Sequence, residues 1–161
     1  MSSKIDLDGA KEAIKIQLLS DEFADILIGI FEEKEEEAPT EVLNVVHTVL
    51  KWSPQNFPNI QMGPARATNQ NPESSGWLDL IYEFTVYVEL TDTDEERLDK
   101  WLSRYVRAIQ DFYAGRPNLL VEQKSCAIWT GDEDYSPLIN QGDGKPFIQA
   151  AAVTFFLRMQ R

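Results

Sequence analysis

The chain of 161 residues has few of the side chains from which catalytic and disulfide-bonded sites are commonly built. It contains one cysteine, Cys126, and one histidine, His47. A lone cysteine cannot form an internal disulfide, which fits a protein of the reducing cytoplasm. A catalytic cysteine–histidine pair could only be these two residues, and their spacing gives no support for one. Cys126 lies in a strand-like pattern and His47 in a valine-rich segment, so we predict structural positions for both.

Basic residues are also scarce. Lysine and arginine total 15 against 27 aspartates and glutamates, which gives a net charge of -12. Binding to nucleic acid requires basic groups that displace counterions from phosphates, so this charge balance argues against a nucleic-acid-binding protein. It argues equally against adhesion to an anionic membrane. The charge suits a surface that repels DNA without holding it.

Long apolar runs are absent as well. No run approaches the roughly 20 residues that cross a bilayer. Residues 1–15 carry charges where a secretory signal would have its apolar centre. With 43% hydrophobic residues the chain is expected to bury a real core. The sequence therefore predicts a single globular domain over residues 1–161, in the cytoplasm and without a membrane partner.

Recognised catalytic and cofactor motifs are missing too. Neither "GPARAT" (63–68) nor "GDGKP" (142–146) follows a phosphate-loop pattern, and Ser136 lacks the glycines of a nucleophile elbow. Carboxylates that could bind Ca²⁺ occur in the segment 132–143, but their spacing departs from the EF-hand loop. We therefore predict no catalytic residue, no cofactor and no metal site.

Residues 9–36 are predicted to be helical, because apolar side chains recur at three- and four-residue spacing. Ser20 followed by Asp21 fits a fresh helix start, so we expect a break or kink there. The run "EEKEEE" (32–37) places carboxylates at the negative end of the helix dipole. We expect this end to fray, with its acids in solvent and Pro39 preventing continuation; a cation site is the alternative.

The next segments favour strands. Residues 41–52 fit either a strand or a helical stripe, and their β-branched content favours a strand. Residues 59–70 fit a strand interrupted by Gly63-Pro64, which places it at an edge or a bulge. Residues 71–76 then form a hairpin connection.

A strand runs directly into a helix in the stretch "FTVYVELTDTDEERLDKW" (84–101). Apolar residues alternate with mostly polar ones from Leu78 to Leu90, which completes a β-hairpin over about residues 59–90 and is typical of a sheet covered on one side. Thr93 and Glu96 then match a capping box for a helix over about residues 94–113. The carboxylates at this junction therefore have local roles at the helix start.

The C-terminal part is predicted to be a second β-hairpin over about residues 118–161. Its strands are 118–130 and 147–161, and a Gly-, Asp- and Pro-rich loop, 131–146, joins them. A loop of this length between two strands is often functional.

These elements predict an α+β fold: an antiparallel-rich, four- to five-stranded sheet with helices packed on one face. The expected element order is α-(β)-β-β-α-β-β.

This order resembles that of the tail-terminator and tail-completion (neck) proteins of long-tailed bacteriophages and prophages. The resemblance covers roughly residues 40–161 and consists of three matching features. Phe57-Pro58-Asn59-Ile60 opens a strand after an N-terminal helix, and "YEFTVYVEL" (82–90) leads into the acid-capped helix "DEERLDKWLSRYVRAIQDF" (94–112). The third is "DYSPL" (134–138) followed by "GDGKPFIQAAAVTFFLRMQR" (142–161), a loop before a long terminal strand.

The resemblance implies a structural virion protein that assembles in the host cytoplasm. Such proteins form a ring, commonly a hexamer, that caps the tail tube, joins it to the head connector and leaves a channel through which DNA passes without specific binding. The family has no catalytic residues to carry over.

A self-contact is also expected on physical grounds, because a long terminal strand leaves backbone groups unpaired unless its edge is covered, charged or paired. The face bearing Ile148, Ala150, Ala152 and Phe156 is more apolar than a solvent face should be. The predicted interface residues are Asp132, Glu133, Asp134, Tyr135, Ile148 and Phe156.

Two other functions remain open at this point. One is a monomeric binding or inhibitor module with an acidic face. The other is a small enzyme with a site built from Asp132, Asp134 and His47.

Overall fold

The computed structural model describes residues 5–51, 56–71, 73 and 78–160, the last without its side chain. Three helices and a mixed eight-stranded sheet form in this part of the chain, which confirms the α+β class. The elements are α1 Leu7–Leu18, α2 Asp21–Glu33, β1 Val45–His47, β2 Asn59–Met62, β3 Arg66–Asn69, β4 Asp79–Asp92, α3 Glu95–Ala114, β5 Asn118–Val121, β6 Lys124–Tyr135, β7 Ile139–Asn140 and β8 Phe147–Gln160.

The sheet has the strand order β1-β2-β4-β8-β6-β5, with β3 added beside β4 and β7 beside β8. The β1–β2 pair is parallel and the other pairs are antiparallel. Helix α3 packs across β4, β8 and β6, and α2 packs on α3. The buried core lies between these helices and one face of the sheet, because alternate side chains of β4 and β8 point toward the helices.

The prediction of four to five strands was too low, for three local reasons. The first is that the strand predicted at 59–70 is divided into β2 and β3. Met62 pairs with Val86 and Arg66 with Glu83, so residues 63–65 lie opposite only residues 84–85. This extra residue is a bulge at the position that the Gly63-Pro64 interruption predicted. Most of the connection predicted at 71–76 lies outside the described residues.

The second reason is that residues 118–130 form two strands, where a single strand was predicted. Val121 pairs with Lys124 across a two-residue turn, and both turn residues, Glu122 and Gln123, have positive φ angles of 49° and 69°. This is the geometry of a type I′ hairpin turn, which usually carries asparagine or glycine. Neither residue type is present in this turn, so residue composition does not predict it.

The third reason is that the predicted loop 131–146 contains the short strand β7 and is shorter than expected. Strand β6 continues to Tyr135 after a register shift between Thr130 and Glu133, and β7 pairs with β8 further along. Backbone pairing with β8 therefore orders residues that the Gly-, Asp- and Pro-rich composition assigned to a loop. Only 136–138 and 141–146 connect these strands.

The break between α1 and α2 falls where Ser20 predicted it. The Ser20 hydroxyl accepts a hydrogen bond from the Phe23 amide at 3.3 Å. The expectation that the acidic end of α2 frays was wrong. Glu35 adopts φ 56°, and the amide of Glu36 donates to the carbonyl of Phe31 at 2.9 Å, which closes the helix as a Schellman motif.

Two of the acids at this helix end are bound to α3. Glu33 pairs with Arg107 at 2.9 Å and Glu36 with Arg104 at 2.8 Å. These pairs offset the unfavourable position of carboxylates at a helix C-terminus, because each acid is neutralised by a guanidinium from the neighbouring helix.

The cap of α3 is Asp94, so the prediction of Thr93 was wrong by one residue. The Asp94 carboxylate accepts hydrogen bonds from the amides of Glu96 and Arg97 at 3.0 and 3.2 Å. Strand β4 extends to Asp92, and the Asp92 carboxylate binds the Arg97 guanidinium through two contacts of 2.7 Å. A charged acceptor placed at the helix start outcompetes the threonine hydroxyl.

We predict that Asp94→Ala lowers the free energy of unfolding by about 1 kcal/mol, since two helix amides lose their acceptor. Thr93→Ala is the matched control and should leave stability nearly unchanged. Urea denaturation of both variants measures the difference through the midpoint and the slope. Equal losses in the two variants would contradict the assignment of the cap.

Candidate assembly surface

The face of the sheet turned away from the helices is partly exposed and largely apolar; we call it the outer face. In β8 the even-numbered residues from Ile148 to Phe156 point to it, and they are only partly buried. Trp129 of β6 is 39% exposed there, and its ring stacks on Phe156 with a centroid distance of 5.5 Å and an interplanar angle of 12°. The predicted residues Ile148 and Phe156 both lie on this face.

The aromatic stack depends on Gly131. A Cβ atom at this position would lie 2.7 Å from Cε2 of Phe156, closer than packed atoms approach. The missing side chain therefore leaves room for the Phe156 ring beside the register shift in β6.

The acidic segment at the end of β6 is divided between the two faces of the sheet. Asp134 lies opposite Ala152 and so shares the outer face. Glu133 and Tyr135 lie opposite Val153 and Ala151, whose side chains point toward the helices. The six predicted interface residues are therefore not one cluster: Asp134, Ile148 and Phe156 share the outer face, Glu133 and Tyr135 share the helix side, and Asp132 lies in the register shift between them.

Glu133 and Tyr135 contact each other on the helix side. The Tyr135 hydroxyl donates to Oε2 of Glu133 at 3.2 Å. Partial burial and the nearby carboxylates of Glu133 and Asp99 raise the pKa of Tyr135 to about 12. Tyr135 therefore stays a neutral hydrogen-bond donor at physiological pH.

This end of the sheet has an open edge. Strand β5 pairs with residues 124–127 only, so within the described ranges no strand covers residues 132–135 on the side away from β8. Tyr135, Leu138 and Ile139 expose 36%, 39% and 54% of their surface near it. An open edge with exposed apolar side chains is typical of a protein–protein contact.

A buried polar cluster at the other side of the outer face was not predicted from the sequence. The side-chain Nε2 of Gln61 donates to the Glu89 carboxylate and to Oδ1 of Asn59, the latter at 3.2 Å. The side-chain oxygen Oε1 of Gln61 accepts from the backbone amide of Lys51 at 2.8 Å. These hydrogen bonds therefore hold the segment after β1 against the sheet. Burial raises the pKa of Glu89, and the Gln61 hydrogen bond lowers it by less.

We predict that Glu89→Gln leaves the protein at least as stable as the wild type at neutral pH. Since the pKa of Glu89 is raised in the folded protein, its buried charge costs stability above that pKa. The cost disappears as the pH falls toward the unfolded value of 4.5. The stability advantage of the variant should shrink over the same range. Thermal unfolding at several pH values checks this, with Glu83→Gln on the exposed part of β4 as control.

The residues of the alternative enzyme site do not meet. His47 is on β1, and Asp132 and Asp134 are on β6, four strand spacings away in the sheet. At roughly 4.8 Å per spacing this separation is about 19 Å, too far for one catalytic site. Burial, followed by the charges of Lys51 and Lys15, lowers the pKa of His47.

Cys126 is 4% exposed in the core, and burial raises the pKa of its thiol to about 11. The reactive thiolate is therefore disfavoured at neutral pH. Among the described side chains, no group of three or more His, Cys, Asp or Glu is arranged to hold a metal ion. No helix in the described ranges is both long and apolar enough to cross a membrane.

Sequence comparison finds no matching protein-family model and no matching curated protein. Comparison of the fold does find similar solved structures. One is a chain in the structure described as the virion of a native gene transfer agent particle. The match has a TM-score of 0.58 at 12% sequence identity, and it covers 94% of this chain and 94% of the other.

Proposed function

We propose that this chain is a structural protein of a phage-like virion. The observation that carries the proposal is the fold match to a chain of a gene transfer agent virion, which covers 94% of both chains. Coverage in both directions means that the likeness extends over nearly the whole fold, rather than over one common motif. A shared fold alone does not fix function, so the proposal also needs support from this chain's own surface.

Within the virion, we propose that the chain forms a ring that caps the tail tube and joins it to the head connector. In the tail-terminator family that the sequence resembles, this ring is commonly a hexamer. Two features of the chain support this role. The open, partly apolar end of the sheet suits a contact with another subunit. The net charge of -12 suits a ring with a DNA channel, because acidic walls repel the phosphate backbone. No catalysis is assigned to the chain.

The purified protein, with and without tail tubes, provides the test. Negative-stain microscopy and sedimentation should show closed rings, either free or on tube ends. A lysate that lacks the protein should contain unjoined heads and tails, and adding the protein should restore joining. A chain that stays monomeric at high concentration both with and without tubes would overturn the ring and favour a monomeric acidic binding module.

A further inference from the structure

We infer that neighbouring copies of this chain join edge to edge, with β3 of one copy pairing antiparallel with residues 133–135 of β6 in the next. The contact would make the sheets of adjacent subunits continuous. This inference rests on the proposed self-assembly and names the surfaces that carry it.

Strand directions make the two edges compatible. Strand β3 is antiparallel to β4, β4 to β8, and β8 to β6, so β3 and β6 run in opposite directions in the same sheet. They also lie at opposite sides of it. A copy rotated beside the first therefore presents β6 antiparallel to β3. Strand β3 lies beside residues 80–83 of β4, whereas residues 133–135 lie at the level of residues 86–88, so the neighbouring copy must also be shifted along the strands. A rotation axis inclined to the strands supplies this shift. A head-to-tail contact of this kind closes into a ring when the rotation is repeated.

Both edges direct outward backbone groups that no other strand of the described residues pairs. The amide of Gln70 donates to the carbonyl of Asp79, so by alternation the amides of Ala67 and Asn69 point away from β4. The amide of Ser136 donates to the carbonyl of Ala150, so those of Glu133 and Tyr135 point away from β8.

The Asp134 carboxylate occupies one of these positions in the isolated chain. It accepts the outward amide of Tyr135 at 2.9 Å. This contact protects the edge of a free subunit with a charged side chain, as edge strands commonly require. An incoming strand would supply a carbonyl to the Tyr135 amide and release the carboxylate.

Arg66 of the neighbouring copy is the partner that we infer for the Asp134 carboxylate, because the two side chains carry opposite charges. Arg66 lies opposite Glu83, which lies opposite Phe156, so the Arg66 side chain is on the outer face. Asp134 is on the same face. In a continuous sheet whose register places Arg66 opposite Asp134, the guanidinium and the carboxylate therefore meet on one side, and the outward backbone groups of Ala67 and Glu133 face each other. Arg66 is exposed and forms no ion pair with a described residue of its own chain, so it is available to a second copy.

A charge exchange tests the pairing in the full-length protein. Arg66→Glu and Asp134→Arg should each lower the association constant about tenfold, since like charges across a strand pair repel. The double variant Arg66→Glu/Asp134→Arg should recover most of the loss. Asp25→Arg, the same charge change on the exposed side of α2, should have no effect. Sedimentation velocity over a dilution series at two salt concentrations measures the constants.

A second variant tests the backbone contact independently of charge. Ala67→Pro removes an outward amide while the hydrogen bonds from β3 to β4 remain. It should also weaken association about tenfold, because the edge loses a donor and gains a bulky ring. Circular dichroism and thermal unfolding will show that the fold is kept.

The outcomes separate this inference from the proposed function. Rings that form unchanged in the single charge variants and in Ala67→Pro would overturn the edge pairing and leave the virion role intact. Oligomers that require the Arg66–Asp134 pair but neither bind tubes nor restore joining would support the pairing and overturn the neck role. Assembly that occurs only on tubes but depends on the same pair supports both. A chain that stays monomeric with and without tubes overturns both.

Discussion

Replacing Phe155 by alanine is expected to lower the free energy of unfolding by about 3–5 kcal/mol, the range for large core aromatics. The same change at the neighbouring Phe156 should cost much less, about 1 kcal/mol, because that ring is only half-buried and mainly loses its aromatic partner. The two residues have the same side chain on the same strand. They differ in the face of the sheet to which they point.

Phe155 is at the centre of an aromatic path through the core. Its ring lies 5.7 Å from Phe84 on the neighbouring strand and 5.1 Å from Tyr113 on α3. Tyr113 contacts Phe112 at 5.0 Å, and Phe112 contacts Phe23 of α2 at 5.8 Å. Phe155 is completely buried, so truncation would leave a cavity between the sheet and α3 that rigid neighbours cannot fill.

Urea denaturation of both variants at one pH gives the two costs, and unchanged slopes show that unfolding remains two-state. Phe156→Ala should also alter the near-ultraviolet circular dichroism, since the stack on Trp129 is lost. A loss of several kcal/mol in Phe156→Ala, equal to that in Phe155→Ala, would contradict the division of β8 into a core face and an outer face.

The division of strands into two faces is the part of the fold that the sequence predicts best. From Leu80 to Leu90 the alternate apolar residues of β4 are all buried, and the same holds from Ala151 to Met159 in β8. A period of two fixes which side chains share a face, whatever the neighbouring strands are. Leu78 was placed on the same apolar face but is 42% exposed, because β4 begins after it.

Features that depend on contacts between distant segments could not be predicted in the same way. The acidic end of α2 is stabilised by Arg104 and Arg107, about seventy residues further along the chain. No local sequence pattern predicts partners at such a distance. The segment 131–135 has the composition of a loop, but backbone pairing with β8 makes it a strand. Residue composition likewise does not predict the turn at Glu122-Gln123, because strand pairing imposes positive φ angles on residues that seldom adopt them.

The candidate assembly surface could likewise be predicted only in part, because its geometry depends on contacts between distant segments. Composition draws attention to the acids at 132–134 and to the apolar positions of β8. It does not show that Asp134 shares a face with Phe156 while Glu133 points the other way, since the register shift in β6 sets those directions. Arg66 was not singled out at all, because one arginine in a short polar strand becomes notable only when strand order and register are known.

A second large effect is expected at Tyr105, which connects α3 to the segment before β1. Its hydroxyl donates to the backbone carbonyl of Val42, and the side chain is completely buried. Burial raises the pKa of Tyr105 far above its usual value, so the hydroxyl remains a donor. Tyr105→Phe keeps the ring and its packing but leaves the carbonyl without this donor. We expect a loss of about 1–3 kcal/mol of unfolding free energy, the range for a buried group that loses its partner.

Tyr113→Phe is the matched control for this prediction. The Tyr113 hydroxyl donates to Oε1 of Gln17 at 3.0 Å, and Gln17 is a half-buried side chain that can turn toward water. A backbone carbonyl cannot turn in this way, so Tyr105→Phe should cost more than Tyr113→Phe. Urea denaturation gives both costs, and amide hydrogen exchange should show faster opening of β1 in Tyr105→Phe alone. Equal costs, together with unchanged exchange in β1, would mean that the Val42 contact does not hold this segment on α3.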